Sequence, residues 1–286
     1  MKTIAINGSN GFIGKALCNY FANKYFIIKI LRHEYLINPI FLASKIETAD
    51  IIINIAGASI SNKWTKKYKK LILSSRLDTT QNLIKAIAIC KKKPELFLCT
   101  SAIGIYDSYN EHSDDSINYG SGFLVSVCKN IESIVSKLDE IYVENTILRL
   151  GVVIGNEGGA FPIMVKPFRF GLGAILGNGN QMMSFIHIHD FVRAVEFIID
   201  NKITGKVNIV SPEYCSNSQF SKEIACLLKK PILFKIPKLI LKFFLGELQE
   251  VITDSKRVKP EVLLKYGFNF NFKNYKEALI NLIQKR

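Results

Sequence analysis

Residues 7–14 read NGSNGFIG, directly after the apolar run TIAI and directly before KALCNYFANK. Gly8, Gly11 and Gly14 recur at intervals of three where the pattern changes from strand to helix. Glycine weakens a helix entry unless the room it leaves is needed. In a dinucleotide-binding sheet each glycine has a use: Gly8 permits the tight turn, Gly11 lets backbone approach a pyrophosphate, and Gly14 lets the helix pack closely on the strand. The helix N-terminus then faces the phosphate charge. Phe12 and Ile13 read as apolar plugs behind the turn.

Working outward, β-branched apolar runs alternate with helical patterns. The runs are FIIKIL (26–31), DIIINIAG (50–57), ELFLCTSA (95–102), NTILRLGVVIG (145–155) and KVNIV (206–210). Between them, segments 79–93, 121–138 and 189–201 carry apolar residues at three-to-four spacing. Continuous apolar strands separated by helices predict parallel βαβ units with both sheet faces covered. The expected class is therefore α/β: a Rossmann-like, doubly wound parallel sheet with a smaller C-terminal α/β domain on the substrate side. Residues 1–165 are assigned to the first, with a return over 186–205. Residues 166–286 are assigned to the second, entered through a glycine-rich excursion over 155–185.

The chain has 286 residues, 48% of them hydrophobic, with a formal net charge of +14. No apolar run approaches the roughly 20 residues of a membrane helix, and the start MKTIAINGSN lacks a signal-peptide apolar region. A cytoplasmic protein is expected. The densest basic patch, NKWTKKYKK (62–70), invites a nucleic-acid reading. Lysine is nevertheless spread along the whole chain, so no nucleic-acid partner is expected. IPKLILKFFLGEL (236–248) is basic and amphipathic; the expectation is a helix packed on its own domain, not a membrane contact. The six cysteines include no CxxC pair, and His187 and His189, which would share a strand face, have no third ligand nearby, so no metal is expected.

The residue after the second strand selects the cofactor, because an acid there binds a ribose 2′-hydroxyl and an arginine a 2′-phosphate. IIKILRHE presents Arg32 first, with Glu34 two residues on; NADP is the expected cofactor. At the end of the next strand, Ala56 and Gly57 are small enough for a nucleotide to lie against the backbone. Arg76, on the helix that follows, is placed near the phosphates.

The chain resembles the atypical extended short-chain dehydrogenase/reductase proteins of the YfcH or "epimerase family protein" type. The resemblance rests on NGFIG, NIAGASISNKW, SSRLDTTQNLIKAI, TSAIGIY, FLVSVCKNIE and the block from LRLGVVIG to SFIHIHD, with KIPKLILKFFLGE and VKPEVLLKYGFNF near the end. It implies a cofactor lying along Gly8, Gly11, Phe12, Ile13, Gly14, Arg32, Ile55, Ala56, Gly57, Arg76, Ser101 and Val153. It also implies a substrate side lined by Phe168 in PFRFGLG, Gln181, Ser184 and His187. Four departures stand out: Ile131 replaces a Trp, Ala174 replaces a Gly, His189 stands where the family pattern is usually not His, and the short link from Arg32 to Asp50 leaves the third strand of the sheet vestigial.

Short-chain dehydrogenases pair a Tyr with a Lys four residues later on one helix face, and use an upstream Ser to orient the substrate oxygen. Ser101, closing LFLCTS, fits the Ser role. Lys129 has only Val125 four residues before it. Tyr106 and Tyr119 are left as proton donors from a loop, with Asp114 or Asp115 weaker. The expected activity is an NADP-dependent oxidoreductase or epimerase acting on a small polar, possibly sugar-nucleotide-like, substrate, as monomer or homodimer. The alternative is a non-catalytic NADP-binding regulatory or scaffold protein.

Overall fold

A computed structural model describes residues 1–34 and 38–284. Six parallel strands form the main sheet, in the order Gly205–Ile209, Glu144–Leu150, Leu96–Ala102, Ile51–Asn54, Thr3–Asn7, Phe26–Ile30. Side chains alternate across a strand, and the apolar residues follow. Ile4, Ile6, Ile51, Ile53 and Leu98 enter one core with helices α1 (Phe12–Phe21) and Ile188–Asp200. Ala5, Ile52, Phe97 and Cys99 enter the other with α2 (Pro39–Ile46), α3 (Lys66–Ile89) and α4 (Phe123–Val135).

Between Ile30 and Ile51 the described residues form one regular helix, α2, and no strand. The sheet therefore turns back after a single strand on that side. Its order places the reversal between Thr3–Asn7 and Ile51–Asn54, and ligands bind at such a switch point, outside the carboxyl ends of the strands.

The return from the glycine-rich excursion reaches further than residue 205. Phe185–His187 pairs with Val152–Ile154, and Gly205–Ile209 is the edge strand of the main sheet, with Val207 and Ile209 in its core. A second core forms around Phe161, Phe168, Phe220 and Leu279, while Leu263, Phe268 and Phe270 of the C-terminal segment pack in the core of the main sheet.

Three polar residues stand in one row across the sheet. Ser101 is the register partner of Arg149, which is the partner of Asn208 on the next strand. Arg149 is fully buried. It grips Glu132 of α4 with both arms, Nε to Oε1 at 3.0 Å and Nη2 to Oε2 at 2.8 Å. Nη1 also donates to Tyr106 Oη at 2.7 Å, and Nη2 to Tyr119 Oη at 3.3 Å. Tyr106 passes the network to Asn208 Oδ1 at 2.8 Å. Asp114 accepts from the backbone N–H of Asn208 and, at 3.0 Å, from that of Val262, which ties in the C-terminal segment.

Gly14 touches the turn before it. A Cβ there would lie 2.2 Å from Gly8 O and 2.7 Å from Ser9 Cα. Gly14→Ala is expected to destabilise the fold by ~2–3 kcal/mol, because backbone must move to admit the methyl group; urea unfolding measures it. Arg149→Met leaves Glu132 inside without its cation, with an expected loss of ~3–5 kcal/mol by the same measurement.

Candidate functional site

The glycine turn opens onto the switch point. Gly8 has a φ of +90°, and a Cβ on it would meet Ala56 N at 2.9 Å, so the turn and the 55–57 segment lie backbone to backbone. Below them Asn7 Nδ2 donates to Asn54 Oδ1 at 3.0 Å, and Asn54 to Thr80 Oγ1 at 2.9 Å. Ile55 N is tied to Asn7 O at 3.0 Å.

Gly11 is different from its two neighbours. It is exposed, and a Cβ there would meet only Gly8 O, at 3.4 Å. Gly11 is also the N-cap of α1, where no side chain caps the helix and no acid stands in the first turn. The backbone donors and positive end of that helix are thus left for a ligand or water. Ser9 Oγ, buried beside the turn, has no protein partner. Phe12 is half-buried; a Cβ on Gly155 or Gly158 would come within 2.8 or 2.9 Å of its side chain, so Phe12 pins that loop to α1. Ile13 packs against the main core.

Two arginines flank this turn in the chain's design. Arg76 folds over Gly57, whose added Cβ would lie 2.7 Å from the guanidinium carbon. Nη1 donates to the carbonyls of Ala58 at 3.0 Å and Ile72 at 3.2 Å. Burial lowers its pKa, and no carboxylate among the described residues pairs with it. A cation without a counter-anion in a partly desolvated place is unfavourable unless an anion joins it.

Arg32 is exposed in the turn after Phe26–Ile30. Glu34, the competing acid, is buried and occupied. It accepts from Leu31 N at 2.6 Å and pairs with Lys45. Burial works against its ionisation, but these two donors hold the carboxyl below its ordinary range.

Ser101 is buried, and its Oγ donates to Glu132 Oε1 at 2.9 Å. Cys128, one helical turn before Glu132, lies beside Ser101, and burial pushes its thiol pKa up. Four-residue spacing adds Leu124 to the same side of α4. The helix thus sets a thiol and an arginine-paired carboxylate beside Ser101. Lys129 is exposed, its Nζ 5.2 Å from the centroid of Tyr119.

Tyr106 is wholly buried, bonded to Arg149, Asn208 and, at 3.0 Å, Ser113 O. Burial pushes its pKa up to about 12, and its hydroxyl is occupied by these three partners. Asp114 is committed to two backbone N–H groups. Asp115 is exposed.

The substrate-side expectations meet side chains with structural work. Phe168 is buried in the second core, with Gly173 directly beneath its ring. Gln181 donates to Leu176 O at 2.9 Å, and Ser184 to Lys256 O at 2.9 Å while accepting from Val258 N at 3.0 Å. Val153 is buried opposite Ile186. His187 and His189 do not share a strand face, because the strand ends at His187, which caps the next helix through its Nδ1. Burial, then the charge of His189, lowers the His187 pKa to about 4, and its ring lies on Phe272 with centroids 4.0 Å apart.

Sequence reasoning missed Glu132 as the partner of Ser101. A signal existed: Arg149 and Asn208 interrupt apolar runs destined for a buried parallel sheet, where a polar side chain needs a partner.

Residues 4–210 match the NAD dependent epimerase/dehydratase family, and residues 236–282 match a domain of unknown function, DUF1731. An epimerase family protein of Staphylococcus haemolyticus is 31% identical over 297 residues, covering 99% of both chains. One from Staphylococcus aureus is 30% identical over 300 residues, covering 100% of both. Among solved structures, the human epimerase family protein SDR39U1 with NADPH superposes at a TM-score of 0.89 with 24% identity, covering 99% of this chain and 100% of that one. The UDP-glucuronic acid 4-epimerase of Bacillus cereus, with UDP-glucuronic acid and NAD, gives 0.76 at 18% identity, covering 99% of each chain. On the family match and the full-length relatives, this chain belongs to the NAD-dependent epimerase/dehydratase family.

Proposed function

We propose that the crevice binds NADP(H), and that the protein is an oxidoreductase or epimerase of a small polar, sugar-nucleotide-like substrate. The observation that carries the cofactor reading is Arg76, a half-buried cation with carbonyl partners and no carboxylate. A phosphate supplies the missing charge. Gly8 and Gly14 allow the close turn, and Gly11 leaves the helix N-terminus open to the same anion. Arg32 is the group for a 2′-phosphate, since Glu34 is spent on Lys45 and Leu31.

When bound, the nicotinamide supplies or accepts hydride. This chain's residues then hold the substrate oxygen and the proton. Ser101 is the polar group at the strand end on the side of α4, with its hydroxyl proton directed to Glu132 and its lone pairs available as acceptors. With Tyr106 held by three partners, Tyr119, half-buried and beside Lys129, is the tyrosine assigned to proton transfer. A sugar-nucleotide-like substrate is favoured by the likeness to the UDP-glucuronic acid 4-epimerase and to the dTDP-4-dehydrorhamnose reductase of Bacillus anthracis solved with NADP.

One observation favours the second reading, a non-catalytic NADP-binding protein. The face of α4 beside Ser101 carries Leu124, Cys128 and Glu132 where a Tyr–Lys pair would work.

Calorimetric titration tests the cofactor. NADPH is expected to bind more tightly than NADH, and Arg32→Ala should cost NADPH roughly tenfold in affinity while leaving NADH unchanged, since a hydrogen bond to a charged group contributes ~1.5–3 kcal/mol. Equal affinities would overturn the NADP assignment. Arg76→Met should weaken both cofactors by tenfold or more yet shift apo stability by less than ~1 kcal/mol, because an unpaired buried charge is removed with two carbonyl contacts. Gly11→Ala should likewise keep the fold, at a cost below ~1 kcal/mol, and lose cofactor.

Hydride chemistry is tested by NADPH oxidation across a panel of keto-sugar nucleotides and small carbonyl compounds. Turnover that falls in Ser101→Ala and in Tyr119→Phe, with NADPH affinity retained, supports the enzyme. No oxidation across the panel favours the second reading.

A further inference from the structure

The segment after the strand Ile232–Ile236 does not behave as an amphipathic helix packed on its own domain. Pro237 opens the helix Lys238–Leu245, KLILKFFL, of which only Leu241 is buried. Leu239 is 79% exposed, Phe243 81% and Phe244 68%. Leu233 and Phe234, on the strand just before, are also exposed. A soluble protein rarely leaves such a contiguous apolar surface open without a use for it.

The charge of this surface selects its occupant. Residues 229–246 contain five lysines (Lys229, Lys230, Lys235, Lys238 and Lys242) and no acid. The first acid after them, Glu247, is paired with Lys69 of α3. Phenylalanine and leucine at the tip with lysines interspersed is the composition of helices that lie in the headgroup region of anionic bilayers. A second copy of the chain is disfavoured, since two-fold pairing would set lysine against lysine. Next to the helix, a shallow groove of about 480 Å³ is lined by Ile175, Ile232, Leu233 and Phe234, with Lys222 and Lys235 among its walls. An apolar floor with ammonium groups beside it suits an acyl chain and its anionic headgroup.

We propose that the Lys238–Leu245 helix and the adjoining Ile232–Ile236 strand dock the protein on an anionic lipid surface, with Leu239, Phe243 and Phe244 entering the bilayer and the lysines meeting its headgroups. The docking is reversible, because one short helix buries little apolar surface and the lysine contribution is screened by salt. It is independent of the cofactor reading.

Flotation of the full-length protein with vesicles of phosphatidylcholine, alone or mixed with phosphatidylglycerol, tests the proposal. Flotation is expected only with the anionic vesicles at low salt, and is lost when salt is raised. The double variant Phe243→Ser/Phe244→Ser should abolish it. Lys235→Gln/Lys238→Gln/Lys242→Gln should weaken it by about fivefold per lysine, while the control Lys66→Gln/Lys67→Gln/Lys70→Gln leaves it unchanged. NADPH titration, the same in all variants, separates this surface from the crevice. If the phenylalanine variant is misfolded by circular dichroism, the two lysine variants decide.

Three results would overturn the docking. The first is no flotation at low salt. The second is flotation indifferent to Phe243 and Phe244 or equally sensitive to the control lysines, which marks diffuse attraction by net charge. The third is a concentration-dependent dimer, abolished by the phenylalanine variant, with no vesicle binding; that outcome assigns the surface to a second copy.

Discussion

Arg149 brings a full positive charge into the middle of a parallel sheet, and the neighbouring architecture is arranged to receive it. Burial alone would strip its proton more easily, but the two bonds to Glu132 and the contact with Tyr106 hold the proton more firmly than in water. Replacing such a buried pair with apolar side chains is often neutral for stability, so its value lies in placement. One side chain fixes Ser101 through Glu132, the loop through Tyr106 and Tyr119, and the last strand through Asn208. Asp114 carries the same constraint to Val262, beyond the sheet altogether.

The crevice follows from strand order and from what glycine leaves out. At the reversal of the sheet, two strand ends diverge, and the turn at Gly8 rests on the backbone at Ala56. Gly14 is a packing necessity, since backbone fills its surroundings, whereas Gly11 is exposed and a Cβ there would make only ordinary contact with Gly8 O. The three glycines of one motif thus divide into two that the fold requires and one that it does not. Arg76 has carbonyl partners and, among the described residues, no carboxylate.

Much of this was legible in the residues. The glycine spacing and the β-branched runs located the first strand, the turn and a sheet covered on both faces, because a strand buried on both sides must be apolar throughout. The short link after Arg32 agrees with the absence of a strand among the described residues between Ile30 and Ile51. What escaped was set by contacts distant in sequence or by competition between local signals. Ser101 and Glu132 lie 31 residues apart, and only the docking of α4 on the sheet brings them together. His187 and His189 alternate like strand residues, yet the acid at Asp190 and the apolar spacing beyond it start a helix at Ile188. The 236–248 segment has an amphipathic composition that expects a domain to pack on, and in the Lys238–Leu245 helix only Leu241 is buried.

The shortened link between Ile30 and Ile51 has an energetic consequence for whatever nucleotide occupies the switch point. With Phe26–Ile30 as the edge strand among the described residues, an adenine ring placed past Arg32 would have no further strand of the described sheet beside it. The weight of recognition shifts from the base to the phosphates, and from surface burial to Coulomb attraction. Ionic strength, more than the identity of the purine, then becomes the variable that governs how long the nucleotide stays.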